Sequence, residues 1–227
     1  MKNIDYNEPI AKDLLKKNSH LRIMTDFLDD IENPKVLELG VERGSSTKAF
    51  LWYLQKTNGK LFSVDIDDCS KVANSKNWQF LQSNDLNSNF ILETFDEIKK
   101  NGVDLIYIDS YHENHHVLKL LNIWFKYLKK NGAIFIDDID SFPFREKKDI
   151  WNSIVYDLTD ETIKDFYYNN IEKTLYTKYF GENGLGKIYK LVNFNEDANQ
   201  YNKIWNYNLL IKMIYPLLRK IKKLISF

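Results

Sequence analysis

One short apolar run that leads into a glycine turn constrains the fold of this chain more than any other stretch. Residues 35–47 read KVLELGVERGSST, and Gly40 and Gly44 stand on either side of the turn. An apolar run of this length after an Asn-Pro breaker is typical of a strand covered on both faces of a parallel sheet. The hydroxyl residues that follow can cap a helix. The stretch therefore predicts a strand, a tight turn and a helix start, where backbone can approach a ligand closely.

The spacing of these glycines indicates which kind of ligand the turn accepts. Dinucleotide-binding turns carry G-x-G-x-x-G, but this turn carries G-x-x-x-G and places Glu42 where the middle glycine would meet a pyrophosphate. Glu38 adds a second negative charge, so the turn disfavours a diphosphate and favours an ammonium or sulfonium group. The pattern E-x-G-x-x-x-G resembles the first motif of class I S-adenosylmethionine-dependent methyltransferases. A tight strand-to-helix turn without a ligand would use the same glycines.

The next two strands extend the resemblance to a cofactor site. Residues 61–65 form an apolar run ending in Asp65, and an acid about 20 residues beyond the turn can accept hydrogen bonds from ribose hydroxyls. Asp67 is expected to cap a following helix. After a third strand at residues 78–82, the resemblance implies that an acid or amide pairs with the adenine amino group, although an Asx turn explains that pattern equally well. The predicted cofactor-binding residues are Glu38, Gly40, Gly44, Ser45, Ser46, Asp65, Ile66, Asn84, Asp85 and Asp109.

Five short strands alternate with helical segments, and each strand ends in polar residues. The fourth and fifth are predicted at residues 103–108 and 133–136, with Asn131-Gly132 closing the helix between them. Two later strands, at 171–178 and 187–192, are expected to form an antiparallel hairpin. This order predicts an α/β, doubly wound sheet, and the resemblance implies the Rossmann-like methyltransferase fold, with a mostly parallel seven-stranded sheet that ends in this hairpin. The functional groups should then lie on one edge.

Acidic motifs follow the fourth and fifth strands. Asp109 and His112 form a D-x-x-H sequence, and Asp137 and Asp138 follow the fifth strand. Together the motifs resemble the methyltransferase group that includes sugar and macrolide-sugar O-methyltransferases and cephalosporin hydroxylase-like sequences. The resemblance runs over roughly residues 36–140. Where that group usually shows D-G-x-H-x-Y, this chain lacks the glycine and the tyrosine.

These motifs imply a mechanism. Asp109, Asp137 and Asp138 are predicted to bind Mg²⁺, because carboxylates at the ends of adjacent strands can converge and hard oxygen ligands suit that ion. His112 is predicted to remove the acceptor's proton, and Asp109 is predicted to act beside it as a second catalytic residue. The methyl group would come from S-adenosylmethionine.

Other interpretations of the same residues remain open. Asp109 could face only the methyl donor, and residues 137–140 could form a solvated turn. His115 or His116 could be the functional histidine. His20 lies in a polar run and is expected at the surface.

Composition bounds the architecture and the partners. The 227 residues suit one α/β domain over 1–227, with a helical flank at 1–33, a core at 34–194 and an amphipathic helix at 195–227. The formal net charge is zero, which argues against nucleic acid as a partner. A single cysteine and the lack of an apolar leader near Met1 predict a reducing cytoplasm.

The last helix carries the remaining partner prediction. Residues 209–227 place apolar side chains at helical spacings and include five Lys or Arg residues. Such a helix can lie on an anionic membrane, so peripheral contact with the inner face of the membrane is one expectation. Packing on its own domain, or on a second subunit in a homodimer, explains the pattern equally well.

The sequence as a whole predicts an S-adenosylmethionine-dependent O-methyltransferase. Its acceptor is expected to be a small hydroxylated molecule, a sugar or nucleotide-sugar for a surface glycan or a secondary metabolite, and the acceptor class rests on the resemblance. One alternative is a nucleotide-dependent oxidoreductase on a similar sheet, which Glu42 disfavours. Another is a non-catalytic binding or scaffold protein. The several carboxylates at the strand ends argue against a protein that has kept the fold and lost its catalytic activity.

Overall fold

The computed structural model describes residue 16 and residues 19–181 and 183–200. The predicted C-terminal amphipathic helix lies outside the described residues from position 201 onward, as does most of the N-terminal flank before position 19.

A seven-stranded sheet organises the described residues, with strand order β3-β2-β1-β4-β5-β7-β6. The first five strands pair in parallel, and β7 pairs antiparallel with both β5 and β6. This topology confirms the predicted doubly wound sheet with its late antiparallel hairpin. The strands are β1 (Lys35–Leu39), β2 (Lys60–Asp65), β3 (Trp78–Gln82), β4 (Val103–Ile108), β5 (Leu128–Asp137), β6 (Thr174–Tyr179) and β7 (Leu185–Lys190).

Helices cover both faces of this sheet. They are α1 (His20–Asp26), α2 (Ser45–Thr57), α3 (Ser88–Thr94), α4 (Asp96–Asn101), α5 (Asn114–Trp124), α6 (Phe142–Glu146) and α7 (Ile150–Asn169). Side chains along β1 alternate between two apolar clusters: Leu37 and Leu39 pack in one, and Val36 packs in the other. Each of these three is fully buried, which stabilises the fold by about 1.5–3 kcal/mol per side chain.

Helix α2, which follows β1, is flanked by two residues with a left-handed backbone conformation. Gly44, with φ of 74°, precedes α2, and Asn58, with φ of 54°, follows it. The N–H of Asn58 donates to the carbonyl of Leu54, which closes the last turn. The predicted start of this helix after the glycine turn is therefore confirmed.

Two local predictions were wrong. Asn131-Gly132 does not close a helix but lies inside β5, where the pairing with β4 shifts register and Asn131 has φ of 65°. An Asn-Gly pair supplies a left-handed residue, and a strand irregularity uses that conformation as readily as a helix end does. Asp67 caps no helix, because residues 66–77 contain none. Its backbone N–H instead donates to Asp65.

Candidate active site

A cavity of about 860 Å³ lies at the carboxyl ends of strands β1 to β5. Open α/β sheets bind ligands at this edge, and the volume is in the range of a cofactor site. The cavity brings together most of the residues that the sequence singled out, while Glu38 and Gly44 do not line it. The predicted residues that line it are Gly40, Ser45, Ser46, Asp65, Ile66, Asn84, Asp85, Asp109, His112, Asp137 and Asp138.

The glycine turn after β1 packs tightly against the end of β4. Gly40 has φ of 101°, and a Cβ atom there would lie 2.6 Å from the carbonyl carbon of Asp109. The backbone N–H of Asp109 in turn donates to the carbonyl of Leu39 at 2.9 Å. Gly40 is therefore required both for its left-handed backbone and for the approach of two strand ends.

We expect Gly40→Ala to lower the free energy of unfolding by about 2–6 kcal/mol, the sum of backbone strain and overpacking. Gly181→Ala is the matched control, since Gly181 has φ of 109° but no described atom lies within 4 Å of an added Cβ. Urea unfolding of both variants measures the difference. If both variants lose the same free energy of unfolding, the close contact between position 40 and Asp109 contributes nothing to the effect of Gly40→Ala.

The carboxylate of Asp65 holds the same turn from the end of β2. It accepts backbone N–H groups from Val41 at 2.7 Å, Glu42 at 3.1 Å and Asp67 at 2.9 Å. Partial burial raises the pKa of Asp65, but these backbone hydrogen bonds outweigh it and leave the pKa below its usual value. Asp65 is thus an ionised group at the cavity wall that also fixes the turn, a role that the sequence did not indicate.

Glu38 lies behind the cavity rather than in it. Its fully buried carboxylate accepts hydrogen bonds from Ser46 at 2.6 Å, Thr47 at 2.8 Å and Ser63 at 2.6 Å. Burial raises its pKa to about 7, although the three hydroxyls oppose that shift. Glu38 therefore fastens the start of α2 to β1 and β2, and it reaches the cavity only through Ser46.

This raised pKa predicts a specific pH dependence of stability. Since the pKa is 4.5 in the unfolded chain and about 7 when folded, the unfolded chain loses the proton first. Glu38's contribution to stability is present below pH 4.5 and falls by up to roughly 3 kcal/mol as the pH rises through 7. Glu38→Gln keeps the shape but cannot ionise. Urea unfolding from pH 5 to 8 should show a steeper decline for the wild type, and parallel curves would contradict the account.

Three ionisable side chains converge where β4 and β5 end. His112 Nε2 lies 3.6 Å from Asp109 Oδ1 and 3.4 Å from Asp138 Oδ2, and one ligand atom from each residue lies within 4.8 Å of the other two. Burial and the charges of Asp137 and Asp138 raise the pKa of Asp109. A carboxylate destabilised in this way favours a cation beside it.

Backbone strain marks the same place. Asp138 has φ of 60°, a left-handed conformation that costs a non-glycine residue energy and that clusters at functional sites. Its Oδ2 accepts a hydrogen bond of 2.7 Å from the hydroxyl of Tyr156. The ring of Tyr156 also packs near that of His112, with centroids 6.1 Å apart. Helix α7 therefore supports the acidic cluster from outside the sheet.

Asp137 faces a different set of partners. Its Oδ2 accepts from the hydroxyl of Tyr107 at 2.8 Å, and its Oδ1 accepts from the backbone N–H of Asp138 at 3.0 Å. Oδ1 also lies 3.0 Å from Nδ1 of His20. Although burial raises the pKa of Asp137, the hydrogen bond and charge of His20 lower it overall. Asp137 is therefore engaged by protein groups, whereas Asp109 and Asp138 converge with His112.

His20 corrects the expectation of a surface histidine. The side chain lines the cavity, the residue is only 4% exposed, and Nε2 lies 3.1 Å from the carbonyl oxygen of Gly181. Its polar neighbours in the sequence suggested exposure. Its contacts with Asp137 and Gly181, however, join residues more than 100 positions apart, and no local pattern identifies them.

The other two candidate histidines lie away from the acidic cluster. His116 Nε2 is 3.0 Å from Asp85 Oδ2, which also accepts from Ser110 at 2.6 Å. His115 lies 3.4 Å from the carboxylate of Glu113. His112 is therefore the histidine that shares a site with Asp109 and Asp138.

Comparisons with known proteins bear on the domain and the fold of this chain. Residues 37–139 match a family model described as a methyltransferase domain. No curated protein matches the chain. Among the described residues, no helix has the length and apolar character needed to cross a membrane.

Solved structures share the fold at low sequence identity. The MycE methyltransferase from the mycinamycin biosynthetic pathway, in complex with Mg, SAH and mycinamycin VI, aligns with a TM-score of 0.55 and 17% identity over 80% of this chain and 50% of that chain. A candidate caffeoyl-CoA O-methyltransferase from Staphylococcus aureus aligns with a TM-score of 0.61 and 15% identity over 81% and 93%. The SAH-bound methyltransferase PaMTH1 from Podospora anserina gives 0.56 and 16% over 82% and 83%. The chain thus spans about half the length of MycE.

Proposed function

We propose that this chain, whose residues 37–139 match a family model described as a methyltransferase domain, is a class I S-adenosylmethionine-dependent methyltransferase that methylates a hydroxyl group of a small acceptor. One observation carries the proposal: a single cavity joins the glycine turn and Asp65 to the cluster of Asp109, His112 and Asp138. The glycine turn and Asp65 suit the methyl donor, and the cluster suits an acceptor whose hydroxyl group must lose a proton.

The donor end is built from the first three strands. The turn at Gly40 presents backbone at the cavity wall, and Asp65 offers a carboxylate that is already ionised. Asn84 and Asp85 lie on the wall at the end of β3, in the region where we propose the adenine to bind. S-adenosylmethionine supplies a methyl group that its sulfonium already activates. The chain therefore has to bind it, orient it and exclude water.

The acceptor end fits a divalent cation. Asp109 and Asp138 offer hard oxygen ligands, and their mutual repulsion in a buried place is the condition that a cation relieves. We propose that these two carboxylates hold Mg²⁺, with Asp137 kept behind them by Tyr107 and His20. When bound, Mg²⁺ supplies positive charge that favours loss of the acceptor's proton.

His112 is the proposed proton acceptor. Its Nε2 atom faces both carboxylates of the cluster, and the backbone carbonyl of His112 accepts a 2.8 Å hydrogen bond from Thr159 that fixes the loop. As the acceptor oxygen bonds to the methyl carbon, the carbon–sulfur bond breaks and the acceptor's proton passes to Nε2. Positioning and proton removal are thus the chain's two contributions.

We propose a sugar or nucleotide-sugar as the acceptor, for a surface glycan or a secondary metabolite. The support is the resemblance of the D-x-x-H and D-D motifs to sugar O-methyltransferases, together with the fold shared with MycE. Incubating the full chain with labelled S-adenosylmethionine and a panel of sugars, nucleotide-sugars and catechols tests it. Label transfer to sugars supports the proposal, and transfer to catechols alone would contradict the acceptor class.

At the donor end, Asp65→Ala is expected to weaken binding of S-adenosylmethionine by about 1–3 kcal/mol, because ribose hydroxyls and turn N–H groups lose their acceptor. Asp68→Ala is the matched control, since Asp68 carries the same charge nearby but does not line the cavity. Titration calorimetry compares the two variants. Unchanged affinity in Asp65→Ala would remove Asp65 from the cofactor site.

The remaining proposals concern the whole chain. We propose a single domain over 1–227, a cytoplasmic location and a role for the C-terminal segment in peripheral membrane contact or in a homodimer. The support is sequence composition alone, because the helix predicted at 195–227 lies almost entirely outside the described residues.

A further inference from the structure

Helix α1 contributes one buried side chain, His20, to the candidate site. His20 begins α1, and its ring bridges two distant parts of the chain: Nδ1 lies 3.0 Å from Asp137 Oδ1, and Nε2 lies 3.1 Å from the carbonyl oxygen of Gly181. Both neighbours are hydrogen-bond acceptors. The ring therefore ties one member of the acidic cluster to the chain at Gly181.

The contact continues beyond Asp137. The hydroxyl of Tyr107, which is 2% exposed, lies 2.8 Å from Asp137 Oδ2 and 3.1 Å from Asp109 Oδ2. A hydroxyl has one hydrogen to donate, so the orientation of Asp137 decides how Tyr107 shares it with Asp109. His20, Asp137, Tyr107 and Asp109 therefore form a continuous row from α1 to the acceptor end of the cavity.

This row separates the three acids into two groups. Asp137 contacts the ring of His20 and accepts from the hydroxyl of Tyr107, whereas Asp109 and Asp138 converge with His112. Without His20, the carboxylate of Asp137 would be held only by the N–H of Asp138 and the hydroxyl of Tyr107, next to the charges of Asp109 and Asp138. A residue outside the matched methyltransferase domain thus contacts the cluster.

We infer that His20 is a positioning residue, which acts through Asp137 and Tyr107 to fix the carboxylate of Asp109 and to keep Asp137 out of the cation site. The inference rests on the proposed function, since the carboxylates that it orders are those proposed to hold Mg²⁺. Groups that orient a metal ligand typically change metal affinity or activity by about 10–100-fold when they are removed.

Two amide substitutions separate the two contacts of the ring. The side-chain nitrogen of asparagine reaches about as far as Nδ1, so His20→Asn can keep the hydrogen bond to Asp137. The side-chain nitrogen of glutamine reaches about as far as Nε2, so His20→Gln can keep the bond to Gly181 alone. His20→Ala removes both. The three variants therefore distinguish positioning of Asp137 from simple attachment of α1 to the domain.

Calorimetric titration of the full chain with MgCl₂, and separately with S-adenosylhomocysteine, tests the inference. We expect about 10–100-fold weaker Mg²⁺ binding in His20→Ala and His20→Gln, and near-wild-type binding in His20→Asn. Binding of S-adenosylhomocysteine should stay unchanged in the two amide variants, which reports that the fold is intact. Adding Tyr107→Phe to His20→Gln should cause little further loss, because both substitutions break the same row.

Equal Mg²⁺ affinity in the wild type and all three variants would overturn the inference. Retention in His20→Gln with loss in His20→Asn would also overturn it, because the ring would then act only through Gly181. If the wild type binds S-adenosylhomocysteine but not Mg²⁺, the result excludes the proposed Mg²⁺ site and not the positioning role of His20. Crystal structures of the two amide variants then decide about His20: the inference requires that the Asp109 carboxylate turn in His20→Gln and not in His20→Asn.

Discussion

Replacement of His112 by alanine is expected to lower kcat for methyl transfer by about 10²- to 10⁴-fold, the usual contribution of a positioned general base. His112 Nε2 lies 3.4–3.6 Å from the two converging carboxylates, and removing the ring removes the group proposed to accept the acceptor's proton. Steady-state kinetics with saturating S-adenosylmethionine measure the loss. The affinity for S-adenosylhomocysteine should change little, because the ring acts on the acceptor.

His115→Ala is the matched control for this prediction. His115 is a nearby histidine that lies 3.4 Å from Glu113 and does not line the cavity, so its removal should leave the rate near that of the wild type. A wild-type rate in His112→Ala would exclude His112 as the base. If His116→Ala abolished the reaction instead, the proton acceptor would lie beside Asp85.

Removal of the cation site is the second large effect that we expect. Asp138→Asn should lower methyl transfer at least about 100-fold, because a catalytic cation contributes several kcal/mol and about 1.4 kcal/mol corresponds to a factor of ten. Asparagine tolerates the left-handed backbone of Asp138 and can still accept from Tyr156, so the fold should be kept. Chelation of the wild type should reproduce the loss, and added MgCl₂ should reverse it.

Asp140→Asn controls for the change in charge. Asp140 lies two residues beyond Asp138, does not line the cavity, and accepts the N–H of Phe142. Its substitution should leave methyl transfer nearly unchanged. Full activity in chelator together with a wild-type rate in Asp138→Asn would eliminate the cation and leave proximity and His112 as the mechanism.

The sheet could be predicted because each central strand is a short apolar run bounded by a breaker or a polar cluster. The sequence assigned β3 and β4 the bounds that the structure has, at 78–82 and 103–108. The prediction from sequence failed where one local pattern is compatible with two different structures. Asn131-Gly132 marks a strand irregularity rather than a helix end, and only the pairing partner of β5 distinguishes the two.

The acidic residues of the site could be predicted for a different reason. Parallel strands place their carboxyl ends on one edge, so polar residues that follow them are brought together. The direction of each side chain was not predictable in the same way. Neighbours at a strand end point to different sides, which separates Asp137 from Asp138, and the partners Tyr107, Tyr156 and His20 come from elsewhere in the fold.

The cavity at the carboxyl edge of the sheet is the proposed binding site of S-adenosylmethionine. Titration calorimetry of the full chain with S-adenosylmethionine, S-adenosylhomocysteine and NAD, each with and without MgCl₂, tests it most directly. The structure predicts binding of both adenosyl compounds and none of NAD, since the turn carries Glu42 where a pyrophosphate would need a glycine. Selective binding of NAD would contradict the account and favour an oxidoreductase.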